Sequence, residues 1–239
     1  MLRKLMMVLL ACAGLTAGAA YGGEADIKQA FQAKFPTATV ESVTRTPFSG
    51  IYEVVFSGQV AYTDEKVNFV FFGNLYDMRS STERNLTRER SAQLTAQTLK
   101  QSLDLAFKRV RGNGKRTLYT LEDPNCPYCK RLHEELAKVN NITVYTFLLP
   151  ILGPDSVEKS KAVWCAKDRA KAWDEAMTRG AVAQSSGKAC DTPLEKNAQL
   201  AQRFGVNGTP AVYLADGRQI GGFLPAEKIE EALNSVSSK

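Results

Sequence analysis

The sequence predicts an α+β chain in two unequal parts, and three observations carry that reading. After one amphipathic helical stretch, residues 39–78 hold five short runs rich in β-branched and aromatic residues, the pattern of a helix laid on a small antiparallel sheet. From Leu86 to Val110 apolar residues recur at threes and fours, the spacing of one long helix. Beyond Gly112-Asn113-Gly114 come a strand-like run, a helical run and a second strand-like run, a β-α-β unit with Cys126-Pro127-Tyr128-Cys129 at its turn.

At the start of the chain, Leu2-Arg3-Lys4 is a basic segment, Leu5 to Leu15 is apolar, and Ala17-Gly18-Ala19 offers a small-x-small cleavage site. Residues 1–19 are therefore expected to be an export signal; the apolar run is too short for a bilayer core of roughly 30 Å. Leu9-Leu10-Ala11-Cys12 is similar to a lipobox, although Leu10 is bulkier than such motifs carry, so cleavage after Ala19 is preferred and lipidation of Cys12 stays open. Losing Arg3 and Lys4 lowers the formal charge from +6 to +4 and leaves four of the five cysteines. An even count in an exported chain points to an oxidising compartment. The basic residues are interspersed with acids and form no cluster interleaved with aromatics, which argues against nucleic acid as a partner.

Residues 20–80 form the first unit. Ile27, Ala30, Phe31 and Phe35 fall at helical spacing before Pro36, and strands are expected over 39–44, 51–56, 59–63, 67–72 and 75–78 with turns at Gly50, Gly58, Asp64-Glu65 and Gly73-Asn74. The segment has neither cysteine nor histidine, so it reads as a binding or assembly domain, or as a passive folding unit. So small a unit buries little surface, which favours a partner over one sheet edge or face. Residues 81–111 are expected to be a helical linker, with Ala92, Ala96, Leu99, Leu103, Ala106, Phe107 and Val110 on its apolar face, and residues 112–239 the catalytic domain.

The Cys126–Cys129 pair stands where a strand, residues 116–121, gives way to a helix, residues 130–139. Thiol exchange needs a thiolate, and a free cysteine with a pKa of about 8.5 is mostly protonated at neutral pH. At a helix start, unpaired N–H groups and the positive end of the dipole favour negative sulfur. Pro127 suits the first helical position. Cys129 lies one turn on, on the same face, so Cys126 is expected to attack and Cys129 to resolve the mixed disulfide. A zinc site using His133 and a purely structural Cys126–Cys129 bridge are the alternatives. No second C-x-x-C completes the first, and so short a loop restrains little chain entropy in the second, so no metal is expected. His133 is expected to face solvent or its own helix.

A second strand is expected over 142–148, then a helix-rich insertion of about 155–204, with helical patterns over 157–178 and 193–204. Cys165 and Cys190 lie in that insertion without the spacing or helix-start setting of reactive thiols and are read as a structural disulfide. Its loop of about 26 residues corresponds to roughly 3 to 4 kcal/mol. Strands at 211–214 and around 219–223 and a helix over 225–236 end the chain. Pro210 at a strand start is read as either a cis bond at a tight turn or an ordinary trans proline.

Cys126-Pro127-Tyr128-Cys129, then Trp164-Cys165-Ala166-Lys167-Asp168, then Gly205-Val206-Asn207-Gly208-Thr209-Pro210-Ala211-Val212 together resemble the DsbC/DsbG family of periplasmic protein disulfide isomerases over nearly the whole mature chain. The resemblance implies a thioredoxin-like fold with a helical insertion and no cofactor. It also implies Cys126 as nucleophile and Cys129 as resolving thiol, with Pro127, Tyr128, Thr209 and Pro210 lining the substrate and Thr209-Pro210 as a cis-proline element. It further implies dimerisation through the N-terminal domain, a homodimer whose apolar cleft holds misfolded exported proteins, and a membrane thiol reductant of the DsbD type. Pro127-Tyr128 is similar to the DsbG branch, whereas residues 161–168 and 171–177 look closer to DsbC. The expected function is thus disulfide isomerisation and reduction in the periplasm. The alternatives are a DsbG-like reductase of sulfenylated single cysteines and a non-enzymatic cleft-binding chaperone.

Overall fold

The computed structural model describes residues 23–180 and 190–236; the expected export signal and Cys12 lie outside them. Helix α1 (Glu24–Lys34) packs on a four-stranded antiparallel sheet ordered β1-β2-β3-β4: Val40–Arg45, Tyr52–Phe56, Gln59–Thr63 and Val70–Phe71. Ile27 and Phe31 of the helix meet Val43, Tyr52, Val54 and Phe56 in one core, as the helical spacing requires. A short hairpin, β5 (Tyr76–Asp77) and β6 (Arg84–Asn85), leads into α2 (Leu86–Gln101). Asn85 caps α2, its side chain accepting from the Arg88 N–H.

Here the structure departs from the expected linker. Helix α2 ends at Gln101, and after a short 3-10 turn at Leu103–Leu105 the chain enters β7 (Phe107–Arg111), antiparallel to β9. Leu103, Ala106, Phe107 and Val110 keep helical spacing, but from Phe107 onward a free sheet edge outcompetes it. Leu99 and Ala106 also lie in a core shared with Tyr119, Leu121, Phe147 and Tyr213. The catalytic body therefore begins before residue 112, and a cut there removes a strand.

The second sheet runs β11-β10-β8-β9-β7. At its centre β8 (Arg116–Glu122) and β9 (Ile142–Leu148) are parallel, joined by α3 (Pro127–Leu136). Strands β10 (Ala211–Leu214) and β11 (Gln219–Gly221) extend it antiparallel. Helices α3 and α7 (Ala226–Asn234) cover one face through Leu132, Leu136, Ile229 and Leu233. The other face carries α6 (Leu194–Arg203) and the end of α2. The insertion supplies α4 (Pro154–Cys165) and α5 (Arg169–Arg179), where the sequence suggests one continuous helix; Asp168 breaks it by capping α5 through the Lys171 N–H. At Gly217, in the β10–β11 turn, φ is +83° and a Cβ would collide with the Ala92 carbonyl oxygen of α2, so the linker backbone rests directly on the catalytic body. Arg203 of α6 pairs with Glu41 of β1 at 2.9 Å across the two units. Among the described residues no helix is long and apolar enough to cross a membrane.

Candidate active site

Cys126 is the N-cap of α3, in extended conformation, and Pro127 takes the first helical position. Neither Cys126 nor Cys129 is disulfide-bonded; Cys126 is 5% exposed and Cys129 fully buried. Hydrogen bonding from Cys129, helped by Thr209 and the backbone of Cys129 and Tyr128, outweighs burial and lowers the Cys126 pKa to about 5. Burial drives the Cys129 pKa up, with the Cys126 contact and the charge of Glu122 adding to it. One turn of helix thus holds one thiol poised to ionise at neutral pH and another held protonated.

Thr209-Pro210 is cis, and Cys126 Sγ lies 3.2 Å from the Thr209 carbonyl oxygen. The glycine-rich turn before β10 therefore faces the start of α3, although the two are more than eighty residues apart in sequence. Pro127 and Tyr128 are exposed beside the cysteines, with the Arg131 guanidinium 5.6 Å from the Tyr128 ring centroid. Cys165 and Cys190 are bonded, with Cα atoms 6.0 Å apart. Trp164 Nε1 donates to the Asp191 carbonyl beside them.

Several residues here were not singled out from the sequence. Asp123, in the segment between β8 and Cys126, is fully buried. Its carboxylate accepts from the Asn125 N–H at 2.8 Å, from the Ile151 and Leu152 N–H groups at 2.8 and 3.0 Å, and from Ser156 Oγ at 2.7 Å. These bonds tie the loop that delivers Cys126 to the loop after β9, where Ile151 and Leu152 are exposed. His133 also differs from expectation: it faces inward, with Nδ1 3.2 Å from Arg109 Nη1. Arg109 in turn approaches buried Glu122. A C-x-x-C followed by a histidine four residues on is visible in the sequence, but its partners Arg109 and Glu122 sit on separate strands and leave no local signal. Among the described residues no group of three or more His, Cys, Asp or Glu side chains is arranged to hold a metal ion.

A sheet with this order, a β-α-β unit, a C-x-x-C at the helix start and a cis proline facing it define a thiol-disulfide oxidoreductase of thioredoxin-like fold. Residues 103–237 match the family described as a thioredoxin-like domain, and residues 18–88 match the disulfide bond isomerase protein N-terminal domain. The first match starts just before β7, in agreement with the domain edge seen in the fold. The chain is 43% identical over 208 residues to the probable thiol:disulfide interchange protein DsbC of Bordetella parapertussis, covering 87% of this chain and 73% of that protein. It is 34% identical over 193 residues to the thiol:disulfide interchange protein DsbC of Escherichia coli, covering 79% and 78%. Among solved structures, the disulfide interchange protein from Neisseria gonorrhoeae is 41% identical, with a TM-score of 0.54, covering 58% of this chain and 99% of that one. The chain belongs to the DsbC family of thiol:disulfide interchange proteins.

Proposed function

We propose that this chain is a periplasmic disulfide isomerase, with Cys126 as the nucleophile and Cys129 as the resolving thiol. The observation that carries the reading is the asymmetry of the pair, Cys126 lowered to about 5 and Cys129 raised by burial. A stable thiolate attacks a substrate disulfide readily and also leaves readily, which isomerisation requires. A second substrate thiol can then displace Cys126, giving a rearranged disulfide, or Cys129 can attack and release reduced substrate. Thr209, cis-Pro210, Pro127 and Tyr128 surround Cys126 and are assigned to substrate contact. The Cys165–Cys190 bridge is assigned a structural role.

The likeness of residues 18–88 to an isomerase N-terminal domain favours isomerase over simple oxidant. In that domain β4 is a short edge strand that exposes its own Phe71 and is flanked by exposed Phe69 and Phe72, a surface suited to pairing with a second copy and forming a shared cleft. The substrates are misfolded disulfide-containing exported proteins, and a membrane thiol reductant of the DsbD type returns the pair to the dithiol.

The test is recovery of activity from a scrambled multi-disulfide protein in a glutathione buffer. Wild-type chain accelerates recovery and Cys126→Ala does not; equal acceleration by both points to the cleft-binding chaperone and removes the isomerase reading. The Pro127-Tyr128 dipeptide favours a second reading, a reductase of sulfenylated cysteines. A sulfenic acid peptide reduced much faster than the scrambled protein is repaired selects that reading.

A further inference from the structure

The chain carries two Asn-Gly pairs, Asn113-Gly114 and Asn207-Gly208, and the fold treats them differently. In such a pair the glycine nitrogen can attack the asparagine side-chain amide, because no Cβ hinders its approach; this is one reason asparagine counts among the thermolabile residues. A folded chain suppresses the attack by holding the glycine N–H and the asparagine amide in hydrogen bonds. Asn113-Gly114 is held in this way. The Gly114 N–H donates to the Arg111 carbonyl at 3.3 Å, and the Gly114 carbonyl accepts from Thr143 Oγ1 at 2.8 Å. Asn113 Oδ1 accepts from the Lys115 N–H and the Asn113 N–H donates to Asn141 Oδ1, both at 3.1 Å.

Asn207-Gly208 is not. The pair lies between α6 and β10, outside any helix or strand, and both residues are exposed. Backbone bonding in this turn ends with the Gly205 and Val206 N–H groups, which donate to the Gln202 and Ala201 carbonyls. Among the described residues, the one side-chain hydrogen bond that reaches residues 205–210 joins Cys126 Sγ to the Thr209 carbonyl oxygen. A Cβ at Gly208 would meet nothing within 4 Å, so the space beside that residue is open. Asn207 thus stands untied, two residues before the carbonyl that faces the nucleophile.

We propose that Asn207 is a self-modification site, whose conversion to isoaspartate draws Thr209-Pro210 away from Cys126 and slows thiol exchange. The modification needs only water; its consequence rests on Cys126 being the nucleophile. In the first step Gly208 N forms a bond to Asn207 Cγ, the Cγ–Nδ2 bond breaks, and ammonia leaves with the proton of the Gly208 N–H, closing a succinimide ring. Water then adds to one of the two ring carbonyls and opens the ring. Attack at Cγ gives aspartate. Attack at the backbone carbonyl gives isoaspartate, in which the main chain runs through Cβ and Cγ and is longer by one atom. Both products carry a new carboxylate. By the reach of two residues that charge lies on the order of 10 Å from Cys126 Sγ, in exposed surroundings where water and salt leave a rise of only about 0.3 in the Cys126 midpoint. The longer backbone has the larger effect, since it displaces the Thr209 carbonyl from its place beside Cys126 Sγ, a contact that helps to hold the thiol's pKa down.

Peptide mapping of the reduced full chain during storage in warm, mildly alkaline buffer tests this, with exchange of a fluorogenic disulfide peptide followed in the same samples. The peptide containing Asn207 should gain about 1 Da and separate into aspartate and isoaspartate forms, while the peptide containing Asn113 stays unchanged. Equal or faster conversion at Asn113 overturns the site. The exchange rate should fall in step with the isoaspartate fraction, the isoaspartate form being about tenfold slower. Conversion without loss of rate overturns the consequence. Gly208→Ala, which has room for its Cβ, should neither convert nor lose rate on storage; a decline at the wild-type pace traces the loss to another change and overturns the link. Asn207→Asp adds the charge without lengthening the chain and should exchange near the fresh wild-type rate; a loss as large as that of converted chain overturns the role of the longer backbone. Fresh wild-type chain no faster than Cys126→Ala overturns the nucleophile assignment and with it the consequence, whereas the modification itself stands or falls on the mass change.

Discussion

The two cysteine pairs meet at one apolar cluster, in which Val163, Trp164, Trp173 and Met177 surround Cys126 and Cys129 while Cys165 packs against the edge. Cys126 and Cys129 are buried, Cys165 is half-buried and Cys190 exposed, so the reactive pair is the less accessible one and exposure does not account for its reactivity. Helix polarity does. Cys126 precedes α3, where unpaired N–H groups and the positive dipole end meet the sulfur, whereas Cys165 is the last residue of α4, where the dipole disfavours a thiolate. Chain separation adds to the difference. Cys126 and Cys129 close too short a loop to restrain the unfolded chain, while Cys165 and Cys190 are 25 residues apart and lie either side of α5.

The largest expected effect follows from this contrast. Cys126→Ala should reduce thiol exchange to the uncatalysed background, while Cys165→Ala/Cys190→Ala should leave the initial rate per folded molecule near wild type. Turnover of a fluorogenic disulfide peptide measures both; equal loss in the two variants would erase the distinction between the pairs. The next effect runs the other way. At pH 5, where the Cys126 thiolate contributes little, Cys165→Ala/Cys190→Ala should lose roughly 3 kcal/mol of stability by denaturant unfolding, and Cys126→Ala should not.

A smaller effect concerns pH. The Cys126 pKa is depressed in the folded chain, so its stabilising contribution is present above the unfolded value of about 8.5 and is lost as pH falls through about 5. The Cys129 pKa is raised, so its contribution is present below the unfolded value and declines above it. From pH 5 to 8 the depressed Cys126 pKa sets an upper bound of about 4 kcal/mol, and screening by solvent at the helix start leaves on the order of 2 kcal/mol gained by the reduced protein relative to the disulfide form, part of which is lost at higher pH. Urea unfolding of the two redox forms, compared across pH, measures the difference. A difference independent of pH would mean that neither cysteine is perturbed by folding.

Much of this contrast was legible in the sequence because its signals are local. Pro127 after Cys126 marks a helix start, and the apolar spacing over residues 130–139 gives the helix that follows. The end of α2 was not legible: residues 103–110 repeat apolar side chains at helical spacing, and only the free edge of β9 makes Phe107–Arg111 a strand. The Glu122–Arg109–His133 string was hidden for the same reason. Its members come from β8, β7 and α3, and sheet pairing rather than sequence proximity brings them together. A buried Asp123 is equally silent in a sequence, since its acceptors' donors, the Ile151 and Leu152 N–H groups, carry no side-chain identity.

The central claim is that one turn of α3 divides the thiols into an ionised nucleophile and a protonated partner. Alkylation of the reduced full chain across pH, with the modified peptide identified by mass, measures this directly. Cys126 should react first, with a midpoint near pH 5, while Cys129 stays unmodified until the chain is unfolded. A Cys126 midpoint at the free-cysteine value of about 8.5, or earlier modification of Cys129, would contradict it.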